Sequence, residues 1–135
     1  EPTPEPTPEP TPEPTPEPTP EPTPDPAGSL HVSDLDGYAV PKNPKIWKAE
    51  LTIYVQDSNG NAVAGATVAG LWDTGDQGSA ITDSSGVCTI ESSALKTTSV
   101  IFTVTSVQHD TYTYDASANT DPDGDSNGTE ITISR

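Results

Sequence analysis

Between residues 47 and 55 the apolar side chains fall on every second position: Trp47, Ala49, Leu51, Ile53 and Val55. Lys48, Glu50, Thr52 and Tyr54 alternate with them. A helix would need a period near 3.6, so this pattern requires a strand with one face toward a core and one toward water. The same reasoning extends along the chain. Asp57-Ser58-Asn59-Gly60-Asn61 reads as a turn, because Asn-Gly suits the positive φ of tight hairpins. Residues 63–72 read as a second extended stretch, with Gly65 and Gly70 as bends or bulges. A polar loop over 73–78 leads to a short strand over 79–82. Asp83-Ser84-Ser85-Gly86 is a further turn before a strand over 87–92. Residues 98–107 form the strongest β run, with Val100, Phe102 and Val104 on one face. A short aromatic stretch over 111–114, a last strand marked by Ile131 and Ile133, and an opening strand marked by Leu30, Val32 and Leu35 complete the set. Seven or eight short strands separated by turns, without helical periodicity, predict an all-β sandwich.

The alternation starts only after a different kind of polymer. Residues 1–24 are six copies of Glu-Pro-Thr-Pro, followed by Asp25-Pro26. No apolar side chain larger than proline's is available for burial there, so folding entropy has no offset. Proline at every second position blocks helix and removes sheet donors. The expected state is an open polyproline II or disordered linker, roughly 80 Å long if fully extended at ~3.1 Å per residue. The uniform repeat lacks a distinctive flanking residue, which favours a spacer over a ligand for a proline-binding groove. We therefore divide the chain into a linker, 1–26, and one module, 27–135. A spacer implies an upstream domain of the same polypeptide, as in the end of a larger protein.

The net charge is −16, and the module holds only Lys42, Lys45, Lys48, Lys96 and Arg135 against fourteen acids. No basic stripe exists, which disfavours nucleic acid and anionic membrane as partners. No apolar run approaches the ~18 residues of a membrane span. Low lysine, abundant Thr, Ser, Asn and Gly, and the Pro-Thr linker are the composition of secreted modular bacterial proteins. We expect an extracellular monomer.

Two stretches carry a resemblance. Asp57-Ser-Asn-Gly-Asn-Ala-Val-Ala-Gly-Ala-Thr-Val68 resembles the D-x-x-G-x-x-V-x-G-A-x-V signature of bacterial Ig-like modules of the invasin type, and 82–90 resembles the segment that follows it. Such modules occur in adhesins, and related prealbumin-like folds serve as regulatory domains of peptidases. More narrowly, 31–37, 47–49 and 114–128 resemble an accessory module near the C-terminal ends of secreted bacterial hydrolases, including subtilisin-like proteases. The resemblance implies an Ig-like sandwich without catalysis. It also implies a cysteine eight residues before Cys88, where this chain has Ala80. Cys88 is thus the remnant of a lost disulfide or a small buried apolar residue.

Candidate chemistry concentrates in Asp121-Pro-Asp-Gly-Asp-Ser-Asn-Gly128. Asp121, Asp123 and Asp125 at alternate positions, with the backbone carbonyl of Asn127, are the oxygen ligands that calcium takes. The loop is no EF-hand: Ser126 stands where that loop needs glycine, and Thr132 where it needs a bidentate glutamate. Asp57-Ser58-Asn59-Gly60 repeats the letters of Asp125-Ser126-Asn127-Gly128, so an unliganded Asx-rich turn is the competing reading. Asp34 and Asp36 are a second alternating pair that would join the site if first and last strands were neighbours.

Exposed aromatics on a β face could instead stack on sugar rings. The pair Tyr112 and Tyr114, together with Trp72, are the ligand-binding candidates for polysaccharide or a cell surface. Tyr38 and Tyr54 are further aromatics of this kind. The alternative is that Tyr112 and Tyr114 cap the core with their hydroxyls in water. His109-Asp110 is a chance neighbour pair rather than a catalytic dyad, and no Gly-x-Ser-x-Gly or phosphate-binding loop occurs. These readings converge on a non-catalytic tethered spacer or stabilising module. A carbohydrate- or cell-surface-binding module is the alternative.

Overall fold

The computed structural model describes residues 1–18 and 28–135. Residues 1–18 are exposed and form neither helix nor strand. The expected linker–module boundary at 26/27 lies outside the described residues.

Residues 28–135 are an all-β sandwich. Its strands are β1 (Ser29–Asn43), β2 (Ile46–Asp57), β3 (Thr67–Trp72), β4 (Gln77–Ile81), β5 (Val87–Glu91), β6 (Ser99–Gln108), β7 (Thr113–Tyr114) and β8 (Glu130–Ser134). One sheet has the order β5-β2-β1-β7 and the other β4-β3-β6-β8. The pairs are antiparallel except β1 with β7. In β2 burial alternates without a break from Trp47 to Asp57, as the sequence requires.

Two bulges correct the simple alternation. In β1 the register shifts between Val32 and Asp34. The extra residue, Ser33, reverses side-chain parity, so Leu30, Val32 and Leu35 all reach the core although 32 and 35 differ in parity. In β6 the register with β3 shifts where Ala69 faces Ser106 and Gly70 faces Val104. That shift brings Val107 inside together with Val100, Phe102 and Val104. The second extended stretch is also shorter than expected. Only 67–72 is strand, and 63–66 turns through Gly65 at φ 76°. Gly70 is not a bend but a close approach, where a Cβ would run into the Thr103 carbonyl oxygen and the Phe102 ring.

The two inner faces share one core. Trp47 and Phe102 are its largest fully buried side chains. Phe102 meets Trp72 edge to face, with centroids 4.8 Å apart. The Asp-x-x-Gly turns work as a pair. Asp57 Oδ1 accepts from Asn59 N and Asn61 N, and Asp83 Oδ1 accepts from Ser85 N and Val87 N. Gly60 and Gly86 supply the positive φ in each.

Cys88 is 5% exposed in β5, and burial pushes its thiol up to about 11. The small-apolar-residue reading of Cys88 is the one its surroundings support. Thiolate is the reactive form. In the native protein Cys88 is therefore expected to resist a thiol-specific disulfide reagent at pH 8 and to react stoichiometrically in denaturant. Fast native labelling would contradict its placement.

Candidate functional site

The loop between β7 and β8 is long, and it is laid against β1 by side chains rather than by a sheet. Asp115 caps a single 3-10 turn, Ala116–Ala118, by accepting from Ser117 N. Asn119 then holds three elements at once. Its Oδ1 accepts from Val32 N of β1 at 2.9 Å. Its Nδ2 donates to the Tyr114 hydroxyl at 2.8 Å and to Thr129 Oγ1 at 3.0 Å. Thr120 adds a backbone bond from its N to Val32 O, and its hydroxyl donates to Ser33 O. The β1 bulge is thus where the loop attaches. Val32 N and O point to the edge of the sheet beyond β7 and Ser33 O lies at the bulge, and Asn119 and Thr120 satisfy all three.

This attachment carries Asp121–Asp125 to the outer face of β1. Ligand oxygens of Asp121, Asp123 and Asp125 lie within 4.8 Å of one another, and so do those of Asp34, Asp36 and Asp123. Asp123 belongs to both groups. The first strand and the loop before the last strand therefore meet, and five carboxylates share one surface.

Crowding displaces the carboxyls of Asp34, Asp121, Asp123 and Asp125 from the usual carboxylate range. Burial and then the charges of Asp123, Asp121, Asp36 and Asp34 push Asp125 up to about 6. Burial, followed by the charges of Asp36, Asp123 and Asp121, raises Asp34. Asp123 is raised, first through its hydrogen bond with Asp121. Burial works against Asp121, yet hydrogen bonds from Ser126, Asp123 and Gly124 hold it down, to about 2. No described lysine or arginine pairs with these acids; the salt bridge found among the described residues joins Lys48 and Glu91 at 2.5 Å.

The repeated tetrapeptide does different work in its two settings. Asp57 caps its own turn, whereas no backbone N–H donates to Asp125; its N donates to Asp123 Oδ1. The capping role passes to Asn127, whose Oδ1 accepts from Thr129 N and Glu130 N at 2.9 and 2.7 Å. Identical letters therefore did not imply identical chemistry, and the carboxylate of Asp125 is left for the cluster. Asn127's side chain serves the turn, while Asp34 and Asp36 from β1 add the further oxygens. Calcium takes six to eight oxygens with flexible geometry, and two carboxylate triads that share Asp123 suit it.

The aromatic expectation needs correction. Trp72 is only 2% exposed, packed on Phe102, and cannot present its ring to a sugar. It lies on the inner face of β3 because the alternation Ala66, Val68, Gly70, Trp72 points inward. Tyr112 and Tyr114 are half-buried against the core. Tyr112 stacks edge-on with His109 at 5.1 Å, and the Tyr114 hydroxyl is bound by Asn119. Both rings pack against the core, but the Tyr114 hydroxyl is held by Asn119 rather than left in water. His109 is also structural: Nδ1 accepts from Thr111 N, and Nε2 donates to Ala64 O at 3.0 Å. That tautomer ties two loops together.

Asn119 is the residue whose role sequence reading missed. An isolated Asn in a polar loop carries no signal, because its partners at Val32 and Thr129 are distant in sequence. Replacing it with alanine leaves Val32 N unpaired and releases the loop, at an expected cost of about 2 kcal/mol. Urea unfolding measures this loss, and Asn119→Ala should also lose any cation response that Asp121–Asp125 confer.

Comparisons of the chain with protein-family models, with curated proteins and with solved structures return no match.

Proposed function

We propose that residues 28–135 are a non-catalytic accessory module of a larger secreted bacterial protein. It spaces and stabilises an upstream domain of the same polypeptide through the Glu-Pro-Thr-Pro linker, and a calcium ion clamps its β7–β8 loop to β1. The linker limits the separation of the two units and so raises the effective concentration of each near the other's target. The two-sheet architecture, β5-β2-β1-β7 and β4-β3-β6-β8, is consistent with the sandwich that the resemblance to Ig-like modules implies.

The observation that carries this reading is where the polar groups are spent. Thr82, Ser92, Asp57, Asp83, His109 and Asn119 all bind backbone groups that hold turns and bulges in place. The remaining concentrated chemistry among the described residues is the carboxylate group around Asp123, whose clustered oxygens suit a structural cation. The full chain is expected to show no turnover on casein or on chromogenic glycosides. It should bind calcium by titration calorimetry. Turnover that tracks the purified chain would overturn the non-catalytic reading, and absence of heat at millimolar calcium would remove the clamp.

A further inference from the structure

The outer face of the β5-β2-β1-β7 sheet holds an aromatic row that the core does not use. Tyr54 of β2 stands opposite Asp34, and Asp36 and Tyr38 follow along β1. Tyr38 is 55% exposed, the most exposed aromatic of the described module. The β7–β8 loop walls this face on one side and closes a groove of about 210 Å³ over Ser33, Asp34, Tyr54, Gln56, Thr120 and Pro122. Drug-sized ligands fill roughly 300–1,000 Å³, so this groove suits something nearer a single hexose.

Its lining has a particular chemistry. The Tyr54 ring offers an apolar surface, and the Pro122 ring is a second one. Around them stand the Gln56 amide, which accepts and donates, and the Thr120 hydroxyl, which accepts because its proton goes to Ser33 O. An apolar floor ringed by paired donors and acceptors is what a pyranose ring requires, with its C–H face and equatorial hydroxyls. The surrounding carboxylates repel uronic acids, sulfated sugars and phosphate. We propose that this groove binds an uncharged hexose unit of a polysaccharide, with Tyr54 as its floor and Tyr38 as the outer contact for the next unit. This moves sugar recognition from Trp72 in the other sheet, and from Tyr112 and Tyr114 against the core, to the outer face of β1 and β2. The inference rests on the module reading for the folded sandwich and adds what one of its faces recognises.

Native affinity electrophoresis of the full chain tests it, in gels containing hydroxyethylcellulose, glucomannan, galactomannan or polygalacturonate. At least one neutral polymer is expected to retard the chain, and polygalacturonate is not. Tyr54→Ala and Tyr38→Ala should each weaken retardation about tenfold, since stacking aromatics dominate such contacts. Tyr112→Ala should change it less than twofold. If Tyr54→Ala fails to fold, Tyr54→Phe retains the ring and should still bind, while Gln56→Ala should bind more weakly. No retardation by any neutral polymer overturns the site, as does loss of retardation in Tyr112→Ala with retention in Tyr54→Ala. Binding of polylysine alone, abolished by moderate salt, also overturns it and identifies a general cation surface. Calcium calorimetry on the same samples separates failure of this site from failure of the clamp.

Discussion

Trp47→Ala is expected to destabilise the module by about 4 kcal/mol, within the 3–5 kcal/mol range of large aromatic truncations. Small domains have about 5–15 kcal/mol in total, so this variant should be substantially unfolded at 37 °C. Three features combine at this position. The side chain is fully buried between the sheets. Its indole Nε1 donates to Thr97 O at 2.6 Å. Its backbone exchanges both hydrogen bonds with Leu95, at 3.1 and 2.7 Å, which holds the 92–98 connection across the end of the sandwich. Alanine keeps the backbone bonds, empties the core and leaves the Thr97 carbonyl unpaired. Trp47→Phe separates these effects: it fills most of the volume but removes the donor, and should cost about 1–3 kcal/mol. Urea unfolding followed by Trp72 fluorescence should show a lowered midpoint with an unchanged slope. A Trp47→Ala loss below about 1.5 kcal/mol would contradict its place at the centre of the core.

The second large effect is a gain. Calcium at about a hundred times its dissociation constant adds about 2.7 kcal/mol to any protein that binds it only when folded. For a domain of this size that corresponds to a rise in Tm on the order of 10 °C. The ligand shared by both carboxylate groups is Asp123, so Asp123→Asn should abolish the rise. The same substitution removes one of the charges that crowd Asp125 and Asp34, and should make the calcium-free protein slightly more stable. Acidity gives an independent check. Asp125 is raised to about 6 from 3.8. Between those values the folded state keeps a proton that the unfolded chain has lost, so calcium-free stability falls as pH rises through that window. Asp121 is lowered to about 2. Its contribution is present above the unfolded value near 3.8 and is lost as pH falls toward 2. Without calcium, stability from this cluster should therefore peak near pH 4. With calcium the protons are displaced, and the slope between pH 4 and 6 should reverse. An equal calcium response in Asp123→Asn would sink the clamp.

Much of the fold can be read in the residues, for an identifiable reason. Where both periodicity and turn chemistry are local, as in 47–60 and 83–91, the strands and turns are where the pattern places them. The Asp-x-x-Gly turns fold from their own side chains and their own glycines. The pattern fails at bulges. Leu35 and Val107 break the parity of their strands, and only the register against β2 and β3 shows why they are buried. Trp72 obeys the parity of its strand, inward with Val68 and Gly70, and the expectation of an exposed ring there goes against that pattern.

The candidate site divides in the same way. Asp121, Asp123 and Asp125 announce themselves by their spacing, and Asp34 with Asp36 by theirs. Their union across some ninety residues, and the transfer of turn capping from Asp125 to Asn127, depend on how the β7–β8 loop settles on the β1 bulge. By itself the sequence determined that this chain makes a two-sheet β structure, because period-two burial and Asx–Gly turns act within a few residues. Which carboxylates crowd together, and which aromatics face water, only the tertiary structure decided. Those outcomes are set by register and by long-range hydrogen bonds, and neither leaves a mark on neighbouring residues.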